Sequence, residues 1–237
     1  MKLSIIIPCY NEKNTIEKIV IKLNSLKIKK QIILVDDNSN DGTTKIIENI
    51  SKKLDKVIFH KKNLGKGGAI KSAKKFINGD YVVIQDADLE YDPKNLISMF
   101  NLMIDKKYEV LYGSRVLGGN RYINNQNFTS LFRVFANHVL TISSNIVNKQ
   151  KLTDAHTCYK MFKREIFNKI KLKENGFSFC PEITTKVSNL NISIHEVPIN
   201  YKGRSYEEGK KISFSDGIKA LYTIIKYSLI KWKKKLL

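Results

Sequence analysis

The ten residues Tyr81-Val82-Val83-Ile84-Gln85-Asp86-Ala87-Asp88-Leu89-Glu90 decide the fold. A run of β-branched and aromatic residues predicts a buried strand, expected to stop near Gln85. Two carboxylates one residue apart then fall at its C-terminal end, the edge at which open α/β sheets bind ligands. Hard carboxylate oxygens there suit Mg2+ or Mn2+, which proteins hold with one or two carboxylates plus substrate phosphates. A metal–diphosphate site is one reading. A polar turn with a helix-capping aspartate is the other, and a lone Asp-x-Asp does not choose between them.

On the N-terminal side, apolar strands are expected at Lys2–Pro8, Gln31–Val35 and Val57–His60. Between them lie helical patterns: Ile16, Ile19, Val20 and Leu23, with Asn14 and Thr15 as candidate caps, then Thr44–Leu54, then Ile70–Ile77 after the glycine-rich turn 63–69. Beyond the central strand come a helix at Pro93–Asp105 and a strand at Tyr108–Tyr112. Strand and helix alternating in this way predict an α/β fold with a mostly parallel sheet flanked by helices. Such a sheet collects Tyr10, Glu12, Asp36, Asp37, Asp86, Asp88 and Arg115 at one edge.

From Gly118 the character changes. A polar loop (118–127), a helix (Phe128–Asn148), a mixed segment (Leu152–Phe162) and helices at Arg164–Ile170 and Ile183–Asn189 precede a strand at Ile192–Pro198. A charged loop, Tyr201–Ile212, leads to a last helix at about Ser215–Trp232. That helix carries Ile218, Leu221, Tyr222, Ile225, Leu229 and Trp232 at helical spacing, with Lys219, Lys226 and Lys233 as an opposing stripe. A basic amphipathic helix ending in Trp and lysines is a candidate for an anionic membrane surface; a helix packed on its own domain is the plainer reading. The expected organisation is one domain over 1–237: an N-terminal half with the acidic edge (1–117), a second half (118–214) and the C-terminal helix (215–237).

Composition limits the classes. The 237 residues are 42% hydrophobic and 27% charged, as in an ordinary globular protein. Lys and Arg number 42 against 22 Asp and Glu, a net charge of +20, which favours an anionic partner. Nucleic acid fits poorly, because the basic residues are dispersed and the aspartate motifs repel phosphates. Three separated cysteines without a Cys-x-x-Cys suit a reducing compartment. With no signal-peptide layout at the start and no apolar run near the roughly 20 residues of a membrane span, the chain is expected in the cytoplasm, peripheral on the inner face of the membrane.

Ile-Pro-Cys-Tyr-Asn-Glu (7–12), Val-Asp-Asp-Asn-Ser-Asn-Asp-Gly-Thr (35–43) and Gln-Asp-Ala-Asp-Leu (85–89), in this order, resemble the family 2 glycosyltransferases of the GT-A fold. Gly-Ser-Arg (113–115), Thr-Asp-Ala-His-Thr-Cys-Tyr-Lys (153–160), Pro-Glu-Ile-Thr (181–184) and Arg204 with Gly209-Lys210-Lys211-Ile212 resemble the dolichol-phosphate mannose synthase and polyprenyl-phosphate glycosyltransferase branch. The resemblance implies that Pro8, Tyr10 and Glu12 line the nucleotide and that Val35 and Asp37 hold the base. It implies that Asp86, Ala87 and Asp88 hold the diphosphate through Mg2+ or Mn2+. Glu90 stands where related synthases often carry glutamine, adding a carboxylate to the metal set. Arg115, Arg204 and Lys211 would neutralise phosphates.

The implied reaction is an inverting transfer of a sugar from a UDP- or GDP-sugar. A polyprenyl phosphate acceptor is already anionic and needs no strong base. A saccharide or protein hydroxyl acceptor needs a carboxylate to take its proton, with Asp154 the first candidate and Glu182 the second. His156 is read as structural, and Lys66 as part of a tight glycine turn outside the site.

Overall fold

Val82, Val83 and Ile84 are wholly buried, and around them the chain forms one seven-stranded sheet. The computed structural model describes residues 1–119, 128–204 and 214–235; the side chains of 128–133, 214 and 230–235 are outside the description. The strands are β1 (Leu3–Cys9), β2 (Lys30–Asp36), β3 (Lys56–Phe59), β4 (Tyr81–Ile84), β5 (Val110–Ser114), β6 (Lys160–Lys163) and β7 (His195–Pro198), in the order β3-β2-β1-β4-β6-β5-β7. All run in one direction except β6, which is antiparallel to both β4 and β5. The α/β, mostly parallel architecture expected from the sequence is therefore present, with one reversed strand.

The helices are α1 (Ile16–Ser25), α2 (Thr43–Ile50), α3 (Gly65–Ala73), α4 (Asn95–Asp105), α5 (Phe128–Asn148), α6 (Arg164–Lys169), α7 (Phe179–Asn189) and α8 (Phe214–Lys235). Apolar side chains from β1, β2, β4 and β5 meet those of α1, α3, α4 and α7 in one core. Each fully buried Ile, Val or Leu contributes about 1.5–3 kcal/mol through removal from water.

Several local expectations are corrected. Strand β6 was hidden in the mixed segment Leu152–Phe162: only four residues long and bounded by lysines, it has no alternation to reveal it, and it exists because the flanks of β4 and β5 supply hydrogen bonds. Helix α3 begins at Gly65 rather than Ile70. Gly65 has a positive φ of 77°, and a Cβ there would lie 2.7 Å from the Asn175 carbonyl oxygen, so the glycines form a helical turn pressed against residues 174–175. Thr15 does not cap α1; its hydroxyl donates to Glu12. Pro181 lies inside the first turn of α7, where a missing N–H costs little. On α8 the expected apolar stripe is not the packed face: Ala220, Thr223, Ile224 and Tyr227 are buried, whereas Ile218, Leu221, Tyr222, Ile225 and Leu229 are exposed.

Lys160, on β6, is wholly buried. Its ammonium donates to the Ala155 carbonyl at 2.7 Å and lies 3.8 Å from the Tyr112 ring centroid. Burial pulls its pKa down to about 8, partly offset by Cys180, Asp154 and Cys158. The folded value is below the unfolded one, so the charged form costs stability at neutral pH. That cost is relieved as pH rises from about 8 toward the ordinary lysine range. Lys160→Met is therefore expected to raise stability at pH 7 by about 1–2 kcal/mol and to remove the increase in stability above pH 8, read by urea unfolding across pH.

Candidate active site

Because six strands share one direction, their C-terminal ends share one edge, and the turns leaving β1, β2 and β4 meet there. Beyond β1, Asn11 adopts a left-handed φ of 51°, which asparagine tolerates well. Its amide N–H donates to Ser39 Oγ and its Oδ1 accepts the Asn40 N–H, both at 2.9 Å, tying the ends of β1 and β2 together. The turn holds Glu12 in place, since the Glu12 N–H donates to Thr43 Oγ1 and the Thr15 hydroxyl donates to Glu12 Oε2. Beyond β4, Leu89 sits at φ 61°, a conformation unfavourable for a branched side chain. This reversal lets the Glu90 N–H donate to Asp88 Oδ1 at 3.0 Å.

Arg204 joins the two turns. Its Nη1 and Nη2 donate to the two Glu12 oxygens at 3.0 and 3.1 Å, and Nη2 also reaches Asp88 Oδ2 at 3.2 Å. Its backbone N–H donates to Glu90 Oε1 at 2.7 Å, and the Tyr201 hydroxyl donates to Glu90 Oε2 at 2.9 Å. Burial alone would lower the Arg204 pKa; Glu12, Asp88 and Glu90 outweigh it and raise it. Asp88 is pushed up to about 7, first by burial and then by the Asp86 and Glu90 charges, with Arg204 opposing. This carboxylate, crowded by its own kind, gains most from an added cation.

Among the described residues no group of three or more His, Cys, Asp or Glu side chains is arranged to hold a metal. Asp86, Asp88 and Glu90, the metal set expected from the sequence, each carry protein partners in this arrangement. Asp86 is ion-paired to Lys66, and Glu90 ties down Tyr201 and Arg204. Asp88, half-buried at the edge beside Arg204 and two residues from the Asp86–Lys66 pair, fits a divalent ion completed by phosphates of a ligand.

The other expected residues divide clearly. Pro8 and Tyr10 are half-buried at the edge, and Ala87 is buried between the two aspartates. Val35 is wholly buried in the core, so its side chain does not line a ligand site. The Asp37 carboxylate accepts the Leu64 and Gly65 N–H groups at 2.8 and 2.7 Å and lies 2.7 Å from His60 Nδ1. It fastens the start of α3 to the end of β2. Asp154 is at 0% exposure and forms a bidentate pair with Arg115, at 2.7 Å to Nε and 2.8 Å to Nη2; Arg115 also donates its backbone N–H. Glu182, also at 0% exposure, accepts the Lys173 and Glu174 N–H groups and pairs with Lys186. Both base candidates are committed to structural pairs. Lys211 lies outside the described residues.

Three residues at the site were missed by sequence reasoning. Lys66 Nζ pairs with Asp86 and lies 3.4 Å from Cys158 Sγ. Burial would lower its pKa, but Asp86 raises it well above the ordinary lysine value. The signal was there, a lysine in a glycine turn opening a helix, but the turn explained itself without it. His60 and Tyr201 gave no signal, since each becomes informative only through a partner far away in the chain. Lys66→Met leaves Asp86 without its countercharge and is expected to weaken binding of a nucleoside diphosphate, used as a probe of this edge, about tenfold, measured as Kd by calorimetry.

An α/β sheet whose C-terminal edge gathers acidic turns together with Lys66 and Arg204 has the layout at which open sheets of this class bind their ligands. The chain belongs to glycosyl transferase family 2, whose sequence profile matches residues 4–171. Among curated relatives it is 26% identical over 239 residues to the dolichol-phosphate mannosyltransferase of Pyrococcus furiosus, covering 98% of this chain and 65% of that protein. It is 26% identical to the Haloferax volcanii low-salt glycan biosynthesis hexosyltransferase Agl6, covering 91% of this chain and 51% of that protein. It is 25% identical to the Trichomonas vaginalis dolichyl-phosphate beta-glucosyltransferase ALG5A, covering 96% and 73%. This chain therefore spans under two thirds of the length of the first two. In fold it resembles Mycobacterium tuberculosis glucosyl-3-phosphoglycerate synthase, solved with Mn2+, UDP and phosphoglyceric acid (TM-score 0.71, 15% identity, 96% of this chain and 78% of that one). It also resembles Rubrobacter xylanophilus mannosyl-3-phosphoglycerate synthase (TM-score 0.69, 17% identity, 99% and 75%). The GT-A fold expected from the sequence is thus present.

Proposed function

We propose that this glycosyltransferase moves a sugar from a nucleoside-diphosphate sugar to a polyprenyl phosphate, with inversion at the anomeric carbon. One observation supports the choice of acceptor: Asp154 and Glu182, the two carboxylates read from the sequence as candidates to deprotonate a hydroxyl, are both buried in structural pairs. A phosphate acceptor is already anionic near neutral pH and needs neither. The curated relatives named for dolichol-phosphate chemistry support the same choice.

In this reading Asp88 holds Mg2+ or Mn2+ together with the donor's phosphates. The ion would supply charge stabilisation for the departing nucleoside diphosphate. Glu12, freed from Arg204, accepts hydrogen bonds from the ribose hydroxyls. Arg204 passes from the carboxylates to the phosphates, keeping its charge where negative charge accumulates. An acceptor phosphate oxygen attacks the anomeric carbon, and the bond from that carbon to the diphosphate oxygen breaks. Arg115, anchored by Asp154 and 5.1 Å from the Tyr201 ring centroid, steadies the wall that carries Tyr201 and Arg204.

The test is transfer itself. The protein is incubated with Mg2+ or Mn2+, a panel of UDP- and GDP-sugars and a short polyprenyl phosphate. Lipid-linked sugar together with released nucleoside diphosphate is the expected result. Transfer to saccharide hydroxyls with none to the lipid phosphate would overturn it.

A further inference from the structure

A cleft of about 550 Å3 opens between β3 and α3. None of Glu12, Asp86, Asp88 or Arg204 lines it. Its walls carry Lys56 from β3, Lys71 from α3 and Lys75 from the turn that follows, and no carboxylate is among the lining residues. Lys71 Nζ donates to two neutral oxygens, the Lys173 carbonyl and Asn175 Oδ1. The Lys56 and Lys75 ammonium groups lie 4.6 and 5.1 Å from the centroid of the Phe76 ring. Asp55, next to Lys56 in the chain, turns its carboxylate to the Ile32 N–H. Like charges gathered around one space raise its potential and draw in an anion.

A hydroxyl in the same cleft is held from behind. Asp37 Oδ1 lies 2.7 Å from His60 Nδ1, and His60 Nε2 lies 2.8 Å from Ser72 Oγ, which faces the lysines. The carboxylate can only accept, so Nδ1 carries the hydrogen and Nε2 accepts the Ser72 O–H. Aspartate, histidine and serine in a row suit a nucleophile as well as a ligand contact. Ser72 sits inside α3, however, where helix hydrogen bonds occupy the backbone N–H groups that an oxyanion would need. The ligand contact is the role that remains. At its other end the chain reaches the start of α3: Asp37 accepts the Leu64 and Gly65 N–H groups, and Lys66 follows directly. Lysine ammonium groups are compact point charges, and phosphoryl oxygens accept from several such donors and a hydroxyl at once.

We propose that this cleft is a second ligand site, which takes a small phosphorylated molecule between Lys56, Lys71, Lys75 and the Ser72 hydroxyl, and that the Ser72–His60–Asp37 chain carries its occupancy to the start of α3. A phosphoryl oxygen that takes the Ser72 hydrogen withdraws it from His60 Nε2. The site goes beyond the transfer reaction, and its test does not use transfer. The probe is inorganic pyrophosphate, added to the full chain in EDTA and followed by calorimetry and by the His60 ring signals in NMR, assigned with His60→Gln. Saturable binding that weakens with salt and shifts the His60 Nε2 signal is expected. Lys56→Glu and Lys75→Glu should each weaken it about tenfold or more, as for loss of a hydrogen bond to a charged group, with unchanged circular dichroism. Lys56→Gln and Lys75→Gln replace either variant that fails to fold. Lys22→Glu, at an exposed position on α1, makes the same change in net charge and should bind like wild type. Arg204→Met, which alters only the acidic edge, should do so too. Folded wild-type protein that does not bind the probe would overturn the proposal, and so would Lys22→Glu weakening it as much as Lys56→Glu does. Binding lost in Arg204→Met but kept in the Lys56 and Lys75 variants would place the probe at the acidic edge and overturn it as well. A His60 signal that stays in place at saturation would overturn the link to α3.

Discussion

Asp88→Asn is expected to lower kcat/KM for sugar transfer by about a thousandfold or more, with no loss of stability. The size follows from what the carboxylate is placed to do. A divalent ion at the leaving diphosphate acts on charge that grows in the transition state, where removal of one such interaction costs about 4 kcal/mol or more. The stability half has the opposite sign from an ordinary ion-pair deletion. Asp88 in the fold has a pKa of about 7, above the usual carboxylate range, because burial and the charges of Asp86 and Glu90 disfavour its ionised form. A raised carboxylate costs stability progressively as pH climbs from about 4 through 7. The amide should therefore match or exceed wild type in urea unfolding at pH 8 while the transfer assay falls to background. An Asp88→Asn protein that keeps near-normal transfer would remove the metal from the proposed chemistry. Comparison of Mn2+ titrations of the two proteins, followed by calorimetry, reports the same loss without relying on turnover.

Asp154→Ala should fail in a different way, by destabilising the fold. Its carboxylate is wholly buried and receives three hydrogen bonds from Arg115, which in turn lies against Tyr201. Removing the acid leaves a buried guanidinium uncompensated, at a cost of about 3–5 kcal/mol. Denaturant unfolding should show that loss, and replacing both partners together, as Arg115→Met with Asp154→Leu, should recover much of it. Were Asp154 a catalytic base instead, the single substitution would leave stability intact and flatten the acidic limb of the pH–rate profile.

These contrasting outcomes mark the boundary of what local pattern carries. The run Tyr81–Ile84 and the strand-helix alternation before it were legible because burial on both faces leaves an uninterrupted apolar signature. Asp86 and Asp88 were legible because they end such a strand. Strand β6 was not, since its four residues owe their conformation to hydrogen bonds offered by β4 and β5. The resemblance placed Val35 at the base, and its side chain is buried in the core between the covering layers. The base role read for Asp154, with Glu182 as second candidate, was plausible from residue type alone. Only packing brought Arg115 to the first and the turn at Lys173–Glu174 to the second.

Helix α8 makes the same point. Its heptad-like spacing of apolar residues was plain, but spacing does not say which face meets the protein. The packed face turned out to be Ala220, Thr223, Ile224 and Tyr227.

By itself the sequence determined the α/β class, the order of elements through residue 117, the acidic edge and the family, because each is written in residue type and short-range period. The tertiary structure alone decided the reversed strand, the pairing of Lys66 with Asp86, the Arg204 bridge from Glu12 to Asp88 and the outward apolar stripe on α8. Each of these joins groups tens of residues or more apart or depends on which surface a helix buries. Charge pairing and burial are set by distance in space, which short-range sequence pattern does not encode.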